Sequence, residues 1–230
     1  MRQKTIAHHE KVVDYTPEHW RLLARMRRDA FNLLEMLEEF SPFVYGSLAR
    51  GDVNRRSDID IMISHPFPSY SIELALSERI TCRRIAQATP WHLIKAHIEL
   101  EDATVSFPLV PPRKKEEEFY RFGGFLYRND LERGERICGV DKRLIFIEPT
   151  PQGHKEVSIK EKENYVARAL GISLETIEER IRVLDRRDRI GRTGVYLNVT
   201  LSPEESFEEV LERIVSKNSH VRKRMNRSKS

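Results

Sequence analysis

Cysteine is scarce in this chain. Of its 230 residues only two are cysteine, and Cys82 and Cys138 belong to no Cys-x-x-Cys pair and no His/Cys group. Disulfide frameworks and structural zinc sites both need such groups at close spacing. The sequence therefore indicates neither a disulfide-stabilised domain nor a zinc-binding module.

Long apolar segments are also absent. A helix that crosses a bilayer needs about 20 mostly apolar residues in a row, and the chain has no such run. The opening stretch, MRQKTIAHHEKVVDY, lacks the apolar segment of a secretory signal. We therefore expect a cytoplasmic protein that has no membrane partner.

A large charge of one sign is missing as well. The 40 Lys/Arg and 36 Asp/Glu residues leave a net charge of only +4. The whole-chain charge is thus too small to indicate a nucleic-acid-binding protein, and the distribution of the charges must be examined instead. The length allows one large domain or two small ones, each with its own core, and we expect two.

A run of prolines and charged residues, VPPRKKEEEFYRF, marks the expected boundary between the two domains. We predict a first domain at residues 1–110 and a connecting segment with a β-hairpin at 111–155. A second domain follows at 156–216, and a basic tail at 217–230. From Lys217 onwards the chain has no Asp or Glu.

The first domain alternates helices and strands. Thr16-Pro17-Glu18 predicts a helix start, and Ser41-Pro42 its end. The segments FVYGS, DIDIMIS and HLIKAHIELE read as strands, and SIELALSERITCRRIAQA reads as a helix. The fold class predicted from this order is α/β (α+β).

Two aspartates stand on one face of the DIDIMIS strand. Ile59, Ile61 and Ile63 share one face, so Asp58 and Asp60 share the other. Neighbouring carboxylates in a partly buried segment repel each other and cost several kcal/mol unless a cation compensates them. A pair of divalent metal ions, about 3.5–4 Å apart, would do so and would also suit the transfer of phosphoryl or nucleotidyl groups.

Upstream of the aspartates lies a turn suited to an anion. Gly46 lets backbone amides approach a phosphate, Ser47 adds a hydroxyl donor, and the helix start that follows attracts negative charge. Arg50, and less directly Arg55 and Arg56, are placed to reach phosphate oxygens. A turn and two aspartates at this spacing together describe a site for a metal–triphosphate.

The stretch GSLARGDVNRRSDIDIMI closely resembles the signature of nucleotidyltransferases of the DNA polymerase beta superfamily, in particular the small archaeal and bacterial members. The resemblance implies a mixed sheet with flanking helices. It also implies that Gly46 and Ser47 bind the nucleotide phosphates and that Asp58 and Asp60 hold two catalytic Mg²⁺ ions, with Mn²⁺ as the alternative.

A third carboxylate, on a later strand, is also implied by the resemblance, where it helps to activate the attacking hydroxyl. Glu99 is the best match, as a catalytic residue and metal ligand, because it lies on the alternating HLIKAHIELE strand. Glu101 has the same parity, and Asp102 is a poorer candidate. The family more commonly has Asp at this position.

The second domain looks like a winged helix-turn-helix. Gly171-Ile172-Ser173 would form the turn, Leu174 to Ile190 the recognition helix, and Gly191 to Leu201 the wing. We therefore predict a nucleic-acid-binding surface made of Arg186, Arg187, Arg189 and Arg192. Acidic residues at the start of that helix favour backbone contact, RNA, or a purely structural role over base reading. The remaining partner hypothesis is a homodimer.

These features together predict a metal-dependent nucleotidyltransferase. It would move a nucleoside monophosphate from a nucleoside triphosphate, ATP being the expected donor, to a hydroxyl of a nucleic acid or a protein, and release pyrophosphate. Transfer of AMP to a partner toxin is one rival within the enzymes. The alternative from another class is a nucleotide-sensing, DNA-binding regulator with a catalytically weak nucleotidyltransferase fold.

Overall fold

The structure is a computed structural model that describes residues 5–6, 8–191 and 194–226. The helices in these ranges are α1 (Pro17–Met36), α2 (Ser47–Arg50), α3 (Ser69–Leu76), α4 (Lys114–Gly123), α5 (Arg128–Glu132), α6 (Glu163–Leu170), α7 (Leu174–Ile190), α8 (Phe207–Lys217) and α9 (Ser219–Asn226). The strands are β1 (Glu10–Asp14), β2 (Pro42–Tyr45), β3 (Ile59–Ile63), β4 (Cys82–Gln87), β5 (Ile94–Glu99), β6 (Ala103–Pro108), β7 (Phe125–Tyr127), β8 (Gly139–Val140), β9 (Ile145–Thr150), β10 (Gly153–Ser158) and β11 (Leu197–Thr200).

Seven strands form the main sheet, in the order β11-β4-β5-β6-β3-β2-β7. Strands β3 and β6 are parallel, and the other neighbours are antiparallel. The start of β3, the start of β6 and the end of β2 therefore meet at one end of the sheet. The predicted α/β class with a mixed sheet and flanking helices is confirmed.

One face of the main sheet carries most of the apolar core. Ile59, Ile61 and Ile63 alternate along β3 and are almost completely buried, in one cluster with the apolar side of α1. On the same face, Phe107 of β6 meets Phe207 of α8 with ring centroids 5.4 Å apart. Each such side chain contributes roughly 1.5–3 kcal/mol by its removal from water.

A second sheet, ordered β1-β10-β9-β8, lies beside the first. Phe146 of β9 packs with Val166 of α6 and Ile177 of α7 in a separate apolar cluster. Glu118 of α4 accepts hydrogen bonds from Ser173 N at 3.2 Å and from Ser173 Oγ at 2.6 Å. The start of α7 is thereby fixed against α4.

The predicted start of α1 is confirmed, and the turn predicted at Gly171-Ile172-Ser173 lies between α6 and α7. Thr16 caps α1, with its side chain accepting from His19 N, and Ser173 caps α7 in the same way. Gly171 ends α6 in the left-handed conformation. Strands β8 and β9 pair across the predicted turn. Among the described residues, none of the helices has the length and apolarity to cross a membrane.

The segment predicted as one long helix, SIELALSERITCRRIAQA, is instead the short helix α3 followed by strand β4. Ile85 is the one completely buried apolar residue of β4, and it shares its face of the strand with Arg83 and the buried Gln87. The strand pairs with β5 on one side and β11 on the other, and this long-range pairing overrides the local helical pattern.

The predicted wing and second domain need correction. Strand β11 pairs with β4 and extends the main sheet, and α8 packs into the main core. Only α6 and α7 pack on the second sheet. Residues 156–216 therefore do not form a separate winged-helix domain, because their last strand covers the otherwise open edge of β4.

The basic tail is also different from the prediction as far as Asn226. Helix α9 buries Val221 and Arg224 against the rest of the molecule. Arg224 donates to Glu116 at 2.9 Å and to the carbonyl oxygen of Pro111 at 3.1 Å. One of the tail cations therefore serves the fold. Residues 227–230 lie outside the described part of the chain.

Candidate active site

Gly46 turns the chain sharply at the end of β2. Its backbone has φ 79° and ψ −143°, a combination that side-chain-bearing residues rarely adopt. Its amide donates to the carbonyl oxygen of Gly124 at 2.9 Å. A Cβ on Gly46 would meet no atom within 4 Å, so the space in front of this turn is open to a ligand.

Helix α2 follows directly and is only four residues long. The backbone N–H groups of its first turn have no partner within the helix and can bind an anion. The macrodipole of so short a helix is small, so it adds little to the attraction of negative charge that the sequence predicted. Ser47 Oγ, at its start, donates to Ser57 Oγ at 3.3 Å. Ser57 Oγ in turn accepts from Asn54 N at 2.9 Å. These bonds connect the Gly-Ser turn to the loop before β3.

Arg27 of α1 fixes α2 from behind. Its guanidinium donates to the carbonyl oxygen of Leu48 at 3.2 and 3.3 Å and to that of Ala49 at 3.2 Å. Burial, and then the neighbouring Arg136, lower the pKa of Arg27 to about 10. Arg27 therefore stays charged at neutral pH and holds the position of the Gly-Ser turn.

Arg50 has partners other than the predicted phosphate. The side chain is buried, and it donates to the Asp52 carboxylate at 3.0 and 3.1 Å and to the carbonyl oxygen of Gly123 at 2.6 Å. Arg50 thus braces the loop after α2, and the geometry gives no support to the predicted phosphate contact. Arg55 and Arg56, in the next loop, are exposed.

The two aspartates lie at the same end of the sheet as Gly46. Asp58 is exposed just before β3, and Asp60 is half-buried within it. Burial raises the pKa of Asp60, and the charge of Asp58 raises it further. A divalent cation would relieve both effects, and carboxylate oxygens are ligands that Mg²⁺ and Mn²⁺ prefer. The pair therefore fits a hard divalent cation.

Two lysines oppose this rise in the pKa of Asp60. Lys142, in the turn between β8 and β9, and Lys95 of β5 both lower the pKa of Asp60, Lys142 being the stronger influence. The turn with Lys142 is braced by Arg143, which donates to Asp141 and to Glu156 at 2.6 Å. Sequence reasoning gave neither lysine a role, because Lys142 comes from the second sheet and Lys95 from a strand that is not a direct neighbour of β3.

Glu99, the predicted third carboxylate, lies two strands from Asp60. Asp60 is opposite Thr104, and Thr104 is opposite Glu99, so Asp60 and Glu99 share a face about 10 Å apart at their backbones. The Glu99 carboxylate forms an ion pair with Arg84 at 2.8 Å. A metal ligand at Glu99 stays a prediction, and it would have to break this ion pair.

The other two candidates for the third metal-binding carboxylate lie outside the strands of the sheet. Glu101 and Asp102 are exposed in the turn between β5 and β6. In the ranges that the structure describes, no three His, Cys, Asp or Glu side chains come close enough to hold one metal ion. Thr104 occupies the position beside Asp60 on the adjacent strand.

The predicted nucleic-acid-binding arginines lie near the end of α7. Arg186 and Arg189 are exposed, and Arg187 is half-buried. Arg192 lies outside the described residues. These positions leave the prediction untested, although the described strand of the predicted wing, β11, belongs to the main sheet.

A family comparison agrees with this geometry. A family model described as a nucleotidyltransferase domain matches residues 33–164, which is more than half of the chain. The match includes the Gly-Ser turn, both aspartates and strands β8, β9 and β10 of the second sheet, so it extends past the boundary predicted at residue 110. Searches of the curated proteins and of the solved structures gave no match.

Proposed function

Because the chain belongs to the nucleotidyltransferase domain family, we propose that it transfers a nucleoside monophosphate from a nucleoside triphosphate, ATP being the expected donor, to a hydroxyl acceptor. The family makes the protein an enzyme of this type. The observation that supports the proposal is the placement of Asp58 and Asp60 at the same end of the sheet as the open turn at Gly46. Anion-binding amides and cation-binding carboxylates then face one substrate.

The residues of the site suit an in-line displacement. The acceptor oxygen forms a new bond to the α-phosphorus, the bond to the β-phosphate oxygen breaks, pyrophosphate leaves, and the hydroxyl proton passes to solvent. Asp58 and Asp60 would hold divalent cations, which supply positive charge to the phosphate oxygens. Gly46 lets the backbone approach the triphosphate, and Ser47 orients it through its hydroxyl.

The proposal is tested by incubating the protein with each of the four α-labelled nucleoside triphosphates and Mg²⁺ or Mn²⁺. Each reaction is run alone and with total RNA, DNA fragments or cell extract, beside Asp58→Asn. We expect label on an acceptor with the wild type only. The labelled species identifies the acceptor as nucleic acid or protein.

A negative result would favour the other class of function. If no label is transferred by the wild type while nucleotide or DNA still binds, the protein is a nucleotide-responsive regulator. Equal labelling by wild type and Asp58→Asn would show that the label comes from a contaminating enzyme.

A nucleic-acid acceptor would use the exposed arginines of α7. Arg186→Gln/Arg189→Gln is the variant that tests this, since both side chains are exposed. Arg25→Gln/Arg28→Gln is the matched control, because these arginines are exposed on α1, behind the opposite face of the sheet. Weaker RNA or DNA binding in the α7 variant alone supports the contact. Equal affinity in both variants rejects it.

A further inference from the structure

Three exposed rings lie together near the start of strand β11. Tyr196 directly precedes β11, Trp91 lies in the turn between β4 and β5, and His220 is in the first turn of α9. The His220 ring centroid is 5.6 Å from that of Trp91 and 6.2 Å from that of Tyr196, both in edge-on contact. Trp91 is 46% exposed and Tyr196 38%, and His220 is also exposed. We call these three residues the aromatic surface, and such an exposed group of rings is typical of an interaction site.

Hydrogen bonds fix the three rings in place. The Oδ1 atom of Asn218, between α8 and α9, accepts from the Tyr196 hydroxyl at 3.0 Å and from the His220 amide at 3.0 Å. Arg113 Nη1 donates to the carbonyl oxygen of Trp91 at 3.2 Å. Rings held in this way lose little further freedom when a ligand binds, so the aromatic surface is preorganised.

Positive charge surrounds the aromatic surface. Lys217 and Lys223 are exposed on either side of His220 in the chain. Arg222 is exposed as well and donates to two carbonyl oxygens of α8, at 3.2 and 2.6 Å. Within the described ranges, no carboxylate forms an ion pair with these three residues or with Arg113. Their charges are therefore available to an anionic ligand.

The acidic residues closest to these rings have basic neighbours of their own. Glu116, one turn after Arg113, accepts from Arg224 at 2.9 Å. Glu179 of α7 lies 4.0 Å from the ring of His92, which follows Trp91 in the chain. Neither carboxylate cancels the charge of the lysines and of Arg222.

The aromatic surface is distant from the two aspartates. Glu99, at the end of β5, is in register with Asp60 through Thr104, whereas Trp91 precedes the start of β5. This strand has six residues, so its length alone separates the two places by at least about 17 Å. A ligand of the aromatic surface therefore does not need the candidate active site in order to bind.

Exposed rings and cations together suit a single-stranded nucleic acid. Bases in a duplex are already stacked on one another, so aromatic side chains stack on bases that are unpaired. RNA offers such bases in its loops and at its ends. The phosphates of the same strand would neutralise the neighbouring cations.

We propose that the aromatic surface binds single-stranded RNA, with bases stacked on Trp91 and Tyr196 and with phosphates at Lys217 and Arg222. This binding site goes beyond the proposed function, because it is separate from the place of nucleotide transfer. It is also separate from the arginines that the sequence predicted on α7.

Fluorescence anisotropy with a labelled, unstructured RNA strand of about 12 nucleotides tests the proposal. The full chain is titrated without nucleotide or divalent ion. We expect the strand to bind at least about 10-fold more tightly than the same RNA paired with its complement. Equal affinity for the duplex would overturn the proposal. Tighter binding of the corresponding DNA strand would overturn the assignment to RNA, and displacement of the RNA by an equal charge of polyglutamate would show an acidic-protein site instead.

Removal of a ring tests the stacking. Trp91→Ala and Tyr196→Ala should each weaken RNA binding by about 5- to 100-fold, because the stacking of a base is worth about 1–3 kcal/mol. Trp91→Phe and Tyr196→Phe keep a ring and should keep most of the affinity. Tyr165→Ala is the matched control, since Tyr165 of α6 is 52% exposed and also forms a hydrogen bond through its hydroxyl.

Removal of charge tests the phosphate contacts. Lys217→Gln/Arg222→Gln should lower the slope of log affinity against log salt concentration by about 1.4, since each contact with a single strand contributes about 0.7. Arg25→Gln/Arg28→Gln, exposed on α1, should leave the slope unchanged. Equal slopes in the two variants would overturn the phosphate contacts.

The outcomes separate this proposal from the proposed function. Unchanged RNA affinity in both Trp91→Ala and Tyr196→Ala, with thermal unfolding like that of the wild type, would overturn the aromatic surface. If an alanine variant misfolds, loss of affinity in the correctly folded phenylalanine variants would contradict the stacking equally. A wild type that transfers nucleotide but binds no RNA would overturn this proposal alone. A wild type that binds RNA but transfers no nucleotide would overturn only the proposed function.

Discussion

The two faces of the seven-stranded sheet differ in what covers them and in how well their groups are satisfied. On one face, Ile59, Ile61 and Ile63 pack into the core with α1. On the other face, Asp60 and Lys95 come from β3 and β5 and have no hydrogen-bond partner within the described chain. The same strands therefore carry a well-packed surface and a surface of unsatisfied charge.

This difference indicates that the polar face of the sheet is less favourable for stability than the apolar face. On the polar face, burial shifts the pKa of Asp60 upwards and that of His97 downwards, so the fold disfavours the charged form of each. A protein can retain such destabilising groups when they are needed to bind a ligand, because the ligand then compensates their cost in free energy. Four substitutions test whether the apolar face determines stability and the polar face determines activity.

Asp60→Asn should have the largest effect. Nucleotide transfer should fall by at least about 1000-fold, because the ligand that concentrates cation charge at the phosphate is lost. The same variant should raise the Tm in the absence of metal, since the wild-type carboxylate has its pKa raised by burial and by Asp58. Labelled-nucleotide transfer and thermal unfolding in a chelator measure the two effects.

The sign of the stability effect depends on pH. A carboxyl group with a raised pKa is most compatible with the fold at low pH and destabilises it as pH rises through that pKa. The advantage of Asp60→Asn in Tm should therefore be larger at pH 7 than at pH 4. A lower Tm of the variant at pH 7 would contradict the description of Asp60 as a strained group.

Ile61→Ala changes the opposite face of the same strand. Ile61 is completely buried, so the truncation should cost about 2–5 kcal/mol of the free energy of unfolding. Denaturant unfolding measures this loss, and Ile61→Val, at about 0.5–1.5 kcal/mol, is the milder control. The folded fraction should transfer nucleotide at the wild-type rate. A large loss of turnover per folded molecule would show that the two faces are not separable.

Gly46→Ala tests a turn that we expect to contribute both to stability and to nucleotide binding. Its φ of 79° should make the substitution cost about 1–3 kcal/mol, and the new methyl group would enter the space proposed for the triphosphate. Gly134→Ala is the matched control, because Gly134 has φ 70° and also has no atom within 4 Å of a Cβ. Both variants should lose stability, and only Gly46→Ala should lose nucleotide affinity. Equal affinities would remove Gly46 from the binding site.

The local sequence could predict the centre of the site because its signals act over a few residues. The Gly46 turn, the alternation along β3 and the cap of α1 each depend on neighbours in the chain, and the strand and the cap are confirmed. The family, suggested by the same stretch, is confirmed by the match to residues 33–164.

Long-range contacts account for what the sequence could not predict. Strand β4 was taken for helix because its pairing with β5 and β11 leaves no local pattern. Arg50 binds Asp52 and Gly123, and Glu99 binds Arg84. The sequence motif predicted a phosphate partner for Arg50, and strand alternation predicted a metal partner for Glu99. The partners that these side chains have in the structure are residues close in space, which the sequence pattern does not reveal. Lys142 reaches the site only because the second sheet packs beside the first.

His97→Gln should have the smallest of the four effects, and it concerns stability in acid. His97 shares a hydrogen bond with Ser106 Oγ at 2.8 Å, and its pKa falls from 6.5 to about 3 on folding. The unfolded chain therefore takes up a proton first, so the stability of the neutral form is complete above pH 6.5 and is lost as pH falls towards 3. The Tm of the wild type should drop between pH 7 and pH 4.5 by about 2–5 °C more than that of His97→Gln.

The comparison with an exposed histidine decides whether this acid sensitivity belongs to the polar face. His65→Gln, at an exposed position after β3, should keep the full wild-type drop in Tm, because this substitution leaves the buried His97 unchanged. If His65→Gln and His97→Gln flatten the pH profile equally, burial beside Lys95 and Arg84 is not the cause. If only His97→Gln does so, His97 as well as Asp60 lowers the stability of the fold, and the cost in stability is shared among residues of the polar face.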